Sequence, residues 1–169
     1  GVNVDIRALF LYGRYRKLER GVPQTRWPCR ACRGRDGGCD SCNGTGQQYP
    51  DSIQSLVCEP LVERTEAKSD AFHGMGREDI DVRCIGNGRP FVAELKSPLH
   101  RTLDLEKLIK EINKAAKGKI EVTTLRYSNR AEVSRIKETK AEKSYTIRFS
   151  CEHGLDEEEI TKRIHSLSG

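Results

Sequence analysis

The stretch from residue 28 to 46 constrains this chain more than any other. It holds Cys29, Cys32, Cys39 and Cys42 among Gly34, Gly37, Gly38, Gly44 and Gly46, and almost no large apolar side chain. Such a segment cannot order itself by burial. Two Cys-x-x-Cys knuckles separated by six residues instead supply four thiolates, the set that closes a tetrahedral Zn²⁺ shell, and metal binding then folds the loop. Four protein ligands leave no open coordination position, so the expected metal is structural and not catalytic. Disulfides are the alternative. They fit poorly with an N-terminus that lacks the basic, apolar and small-residue regions of a secretory signal. The Cys42-Asn43-Gly44-Thr45-Gly46 run also echoes the knuckles of Hsp40 co-chaperones, but only two knuckles are present. Cys58, Cys84 and Cys151 lie in core-like patterns, where a free cysteine packs as a small hydrophobe.

Around this insert, 169 residues are enough for one domain and short for a complete two-lobed enzyme. With 36% hydrophobic and 33% charged residues the chain reads as folded, and no apolar run is long enough for a membrane span, so a cytoplasmic location is expected. The start at Gly1-Val2-Asn3-Val4, without Met, reads as a cut. Charge is uneven: residues 1–35 carry nine Lys/Arg against two Asp/Glu, and the remainder is net −2. Within Tyr12-Gly13-Arg14-Tyr15-Arg16-Lys17, cations interleave with aromatics. Together with Arg20 this reads as a nucleic-acid surface, phosphates meeting Arg14, Arg16, Lys17 and Arg20, and bases meeting Tyr15. The plainer reading is a solvated basic turn.

Alternation of Val4, Ile6, Ala8 and Phe10 predicts a first strand. Pro50-Asp51-Ser52 opens a helix with Ile53, Leu56, Val57 and Leu61 on one face, kinked or ended near Pro60. Residues 64–70 read as an exposed connector. Strand patterns at 80–85 and 90–96 flank Gly86-Asn87-Gly88 as a hairpin. Asp104 caps a helix carrying Leu105, Leu108, Ile109 and Ile112, ended at Gly118. Strands at Ile120–Leu125 and Tyr145–Phe149 enclose a short helix near residues 132–137. A last helix has Asp156 and Glu159 as a capping box and Leu155 and Ile160 as a staple, with Ile160, Ile164 and Leu167 facing the core. The fold class is α+β, a mixed or antiparallel sheet flanked by helices, with the small zinc-knuckle insert.

In Gly76-Arg77-Glu78-Asp79, an Asp follows two residues after an Arg in a glycine-bearing loop, and an Arg so close can hold a carboxylate ionised and oriented. By spacing alone, a turn or cap is the commoner use of such an acid. Asp81 with Glu94 and Lys96 also matches the spacing of a Mg²⁺-dependent restriction-type nuclease core.

Four stretches in order, Gly13-Arg14-Tyr15-Arg16-Lys17, Pro23-Gln24-Thr25, Gly76-Arg77-Glu78-Asp79-Ile80-Asp81-Val82-Arg83 and Gly88-Arg89-Pro90-Phe91, resemble the archaeal and eukaryal family of transfer-RNA pseudouridine synthases that act on the TΨC arm. The resemblance is colinear over most of residues 9–150. It implies a pseudouridine-synthase-like fold, with residues 1–27 as first strand and basic segment, 28–46 as knuckle insert, and 47–169 as the first half of the catalytic domain. It further implies Asp79 as nucleophile, Arg77 as its ion-pair partner, and Tyr145 as the tyrosine that stacks on the target base. The substrate would be tRNA, the protein a monomer, and the chemistry free of any small-molecule cofactor. Beyond the stretch resembled, the family carries an RNA-binding extension of the THUMP type and a second catalytic half. A zinc-stabilised RNA-binding module without catalysis is the other reading of a chain of this extent.

Overall fold

The computed structural model describes residues 4–148, 150, 154 and 156–167. It divides into two units, Gly1–Thr139 and Lys140–Gly169. In the first, β1 (Leu9–Lys17), α1 (Ile53–Thr65), β2 (Ser69–Gly74), β3 (Cys84–Lys96), α2 (Leu105–Ala115), β4 (Ile120–Ser128) and α3 (Arg130–Glu138) follow in order. The sheet runs β2-β3-β1-β4, antiparallel throughout. The α+β class read from the sequence is the architecture observed.

Strand β1 is central and buried on both faces, and its alternation sorts two cores. Leu9, Leu11 and Tyr15 join Phe91, Ala93 and Leu95 of β3 under Val57 and Leu61 of α1 and Leu108 and Ile112 of α2. Phe10 and Val92 on the other face pack against Ile136 of α3. At Gly13 the chains approach so closely that a Cβ would lie 2.6 Å from both the Phe91 ring and the Thr124 carbonyl.

Two helix starts are as the capping residues predict: Ser52 accepts from Ser55 N and Asp104 from Lys107 N. The third helix starts at Arg130, before the expected residue 132, on an Asn129 cap that accepts from Glu132 N. Several expectations need correction. The first strand begins at Leu9, because Val4 and Ile6 are solvent-exposed and have no sheet partner. Helix α1 runs through Pro60 to Thr65, tied at both ends by its caps and by burial of Val57, Cys58 and Leu61. The connector at 64–70 instead leads into β2, which adds an edge to the sheet by pairing with residues 91–96 of β3.

Nor does Gly86-Asn87-Gly88 turn a hairpin. Strand β3 is continuous from Cys84 to Lys96, and residues 85–88 bulge out between the Tyr15–Arg89 and Lys17–Cys84 pairs. The bulge is pinned by Arg14, which donates to the carbonyls of Asn87 (2.8 Å) and Gly88 (3.0 Å). Two glycines at φ 69° and 72° make it possible.

The second unit contains α4 (Glu157–Leu167), whose first turn is capped by Asp156. Residues 145–148 form no strand there, with Tyr145 and Ile147 about four-fifths exposed. Phe149, the partner expected in that strand, lies outside the described residues, as do Cys151, Leu155 and the Leu167 side chain. Ile164 is exposed and does not face a core. Among the described residues no helix is long and apolar enough to cross a membrane.

Candidate active-site loop and metal centre

The loop joining β2 to β3 carries Gly76 to Arg83, and its backbone is held by side chains from three other segments. Lys17, at the end of β1 and wholly buried, donates from Nζ to the carbonyls of Asp79 (3.0 Å) and Ile80 (2.8 Å). Gly21 N adds a second bond to Ile80 O at 2.7 Å. Gln24 donates from Nε2 to Gly76 O and to the Tyr15 hydroxyl, both at 3.0 Å. Arg89 donates to Met75 O at 2.7 Å.

Glu78 is the loop's inward anchor. Its carboxylate accepts from the buried Tyr15 hydroxyl at 2.9 Å and makes a 2.7 Å ion pair with Arg89 Nε, their side chains only 3% and 12% exposed. Burial, reinforced by the charge of Glu78, raises the Tyr15 pKa, so the phenol remains a donor. Burial draws Lys17 below the ordinary lysine value, against the opposing pull of the Glu78 and Asp81 carboxylates. Burial likewise disfavours the Arg89 cation, but Glu78 outweighs it and holds the guanidinium above its usual value.

With Glu78 drawn inward, Asp79 beside it is exposed. No hydrogen bond or ion pair among the described residues occupies its carboxylate. The expected Arg77 partner is elsewhere: its guanidinium lies over the Trp27 indole, 5.4 Å from the ring centroid, where the π face offers an alternative to the carboxylate. The basic stretch also needs correction. Tyr15 and Lys17 are fully buried supports of the loop and offer no surface to a nucleic acid. Arg14 and Arg16 retain partial exposure while bound to the β3 bulge and to Glu121 (3.2 Å), and Arg20 is exposed.

The nuclease constellation is not assembled. Glu94 lies opposite Phe10 and is held by His73 at 2.9 Å, whereas Asp81 falls near Lys17, at the other end of β1. Phe10 and Lys17 are separated by roughly 23 Å of extended strand.

The four cysteines converge. Their sulfurs lie within 4.8 Å of one another, with 3.9 Å between Cys29 and Cys39, 4.0 Å between Cys32 and Cys42 and 3.7 Å between Cys39 and Cys42. Bonds of about 2.3 Å at tetrahedral angles put thiolates about 3.8 Å apart, so the set fits one metal ion. Burial works against ionisation of Cys42, but N–H donors from Cys39 and Gly46, each 3.2 Å from its sulfur, bring the thiol down to about 6. The base is closed by antiparallel bonds from Cys29 N to Gly46 O (2.7 Å) and from Gln48 N to Trp27 O (2.8 Å). Trp27 emerges there, edge-on to Tyr49.

An antiparallel sheet with helices on both faces, a loop presenting an unpaired carboxylate and a four-cysteine group that fits one metal ion define an α+β domain with a candidate acidic site and a candidate metal centre. The chain belongs to the Pus10 C-terminal family, whose model matches residues 10–168. Proteins named tRNA pseudouridine synthase Pus10 are similar to it. The one from Methanothermobacter marburgensis is 48% identical over 163 residues, covering 95% of this chain and 40% of that protein. Those from Methanothrix thermoacetophila and Methanocaldococcus jannaschii are 45% and 46% identical, covering 99% and 94% of this chain and 37% and 34% of theirs. The chain thus spans about two-fifths of the length of these curated relatives.

Proposed function

We propose that this chain is the nucleophile-bearing part of a tRNA pseudouridine synthase that isomerises uridine in the TΨC arm, with Asp79 as the nucleophile. The observation that carries the reading is the contrast within the loop: Glu78 is consumed as an anchor, while Asp79, on a backbone fixed by Lys17 and Gln24, keeps a free and exposed carboxylate. A preplaced anion of this kind can attack a uridine turned out of the RNA fold. The carboxylate takes C1′ as the glycosidic C–N bond breaks and its electron pair stays on the uracil, the uracil rotates, and C5 then displaces the carboxylate from C1′, forming the C–C bond and freeing Asp79. The proton lost from C5 is returned to solvent as the ring nitrogen gains one, so nothing is oxidised or reduced and no small-molecule cofactor enters.

Residues 1–27 and 47–169 are the catalytic parts in this reading, and 28–46 the insert between them. Cys29, Cys32, Cys39 and Cys42 would hold Zn²⁺, which supplies folding energy to the insert and no chemistry to the reaction. Arg14, Arg16 and Arg20 contribute phosphate contacts. Tyr145 stacks on the flipped base. The protein acts as a monomer in the cytoplasm, and the remaining three-fifths of the relatives' length supplies the rest of the pocket and RNA grip.

Tritium release from uridine labelled at C5, in a tRNA transcript and with the full-length enzyme, tests the assignment. Asp79→Asn should abolish release with RNA affinity nearly intact, whereas Asp81→Asn should remain active. Activity surviving in Asp79→Asn would remove the nucleophile assignment, and retained RNA binding with no release by the wild-type protein would favour a binding module.

A further inference from the structure

Trp27 and Arg77 bring the base of the knuckle against the loop. Trp27 sits at the closed base of the knuckle, its carbonyl bonded to Gln48 N and its ring braced by Tyr49, 5.5 Å away and nearly perpendicular. Over that ring lies Arg77, two residues before Asp79. Neighbouring Arg26 is fixed as well, by two bonds to Asp70 of β2 (2.9 and 3.0 Å). The position of Trp27 is therefore set on one side by the metal fold and on the other by the sheet.

We infer that Trp27 is a positioning residue through which the metal-bound knuckle holds Arg77 and, with it, the approach to Asp79. The functional weight of this link rests on the reading of Asp79 given above; the link itself does not. When the four thiolates close on a metal, residues 27–29 and 46–48 are clamped together and the indole is presented to the guanidinium. Without the metal, the knuckle has no core to keep that strand pair closed, and Arg77 loses its seat. The coupling must act in both directions, so a disturbance at Arg77 must alter how firmly the metal is kept.

Metal retention gives a readout independent of catalysis. Full-length protein carrying Zn²⁺ is mixed with a chromogenic chelator and the release rate recorded for wild type, Trp27→Leu, Arg77→Ala and Arg77→Lys. Arg64→Ala, which removes an exposed pair with Glu111, is the control. Arg77 is exposed and lies outside the knuckle, so its replacement leaves the fold intact. Arg77→Ala and Trp27→Leu should each speed release about threefold, the size of a partly exposed cation–π contact, while Arg77→Lys keeps the cation and stays near wild type. Release from Arg77→Ala at the wild-type rate overturns the inference, as does a protein that takes up no metal. Accelerated release alongside an active Asp79→Asn enzyme would sustain the coupling and sink only the catalytic assignment.

Discussion

Glu78→Gln isolates the electrostatic anchor of the loop. The amide preserves size and can still accept from Tyr15 through its oxygen, so the change removes charge and little else. It leaves Arg89, whose side chain is 12% exposed, without its anion, and the remaining bond to Met75 O does not neutralise it. Stranding one partner of a buried pair costs about 3–5 kcal/mol. Solvent does little to screen this pair, so the loss should fall toward the lower end of that range and not vanish. Urea unfolding, followed by the fluorescence of Trp27, the chain's single tryptophan, measures it. With a slope of roughly 1.5–2 kcal/mol per molar, the midpoint should fall by about 2 M. Arg89→Met alone should also destabilise, because it strands Glu78. The double variant should recover at least about 2 kcal/mol of the summed loss, since neither charge is then buried alone. Additive single losses, or a Glu78→Gln midpoint within experimental error of wild type, would show that the loop is not anchored by this pair.

Glu132, 6% exposed and held by Arg126, Ser128 and Arg135, has its carboxyl depressed to about 2, chiefly by the Arg126 hydrogen bond. Its folded value lies below its unfolded one, so its stabilisation is present above about pH 4.5 and lost as pH falls toward 2; Glu132→Gln should flatten an acid-unfolding curve across that window. Gly88→Ala should destabilise the sheet by more than about 1 kcal/mol in thermal melts, because φ is 72° and the added Cβ would lie 2.7 Å from Tyr15 O. Replacing Cys32 by Ser should lower bound metal and loosen residues 28–47, seen as faster proteolysis there while the β1–β3 core stays protected.

Local chemistry made much of this fold legible. Caps at Ser52 and Asp104 and the apolar stripe of α2 depend on neighbours a turn away, and the structure has them. The cysteine cluster was readable because ligand spacing is itself local. What misled was long-range. Tyr15 and Lys17 look like surface residues in a basic run, and only the pairing of β1 with strands 67 to 107 residues away shows that they are enclosed. The two glycines near residue 87 have the chemistry of a hairpin turn, but pairing with β1 before and after them carries β3 past as a bulge. In the loop, Asp79 could be named through resemblance; spacing alone gave no sign that Glu78, Arg89 and Gln24 share its support. The signal lay in the four colinear stretches, which meet around this loop.

The central position of β1 also sets an order of events during synthesis. Its partners on one edge lie in β3 and on the other in β4, where Lys17 pairs with Ile120 and Phe10 with Ser128. At roughly 5–20 residues per second, the ribosome needs several seconds or more after β1 emerges to deliver its last partner. Until β3 emerges both edges of this strand, apolar at Leu9–Leu11, are open to association with other chains, and the edge that β4 covers stays open until residue 128 is delivered. The knuckle, by contrast, can close as soon as residues 28–48 are out. An early metal-bound turn directly after β1 would hold the following chain compact while the strand waits, making metal supply a determinant of yield as well as of the finished structure.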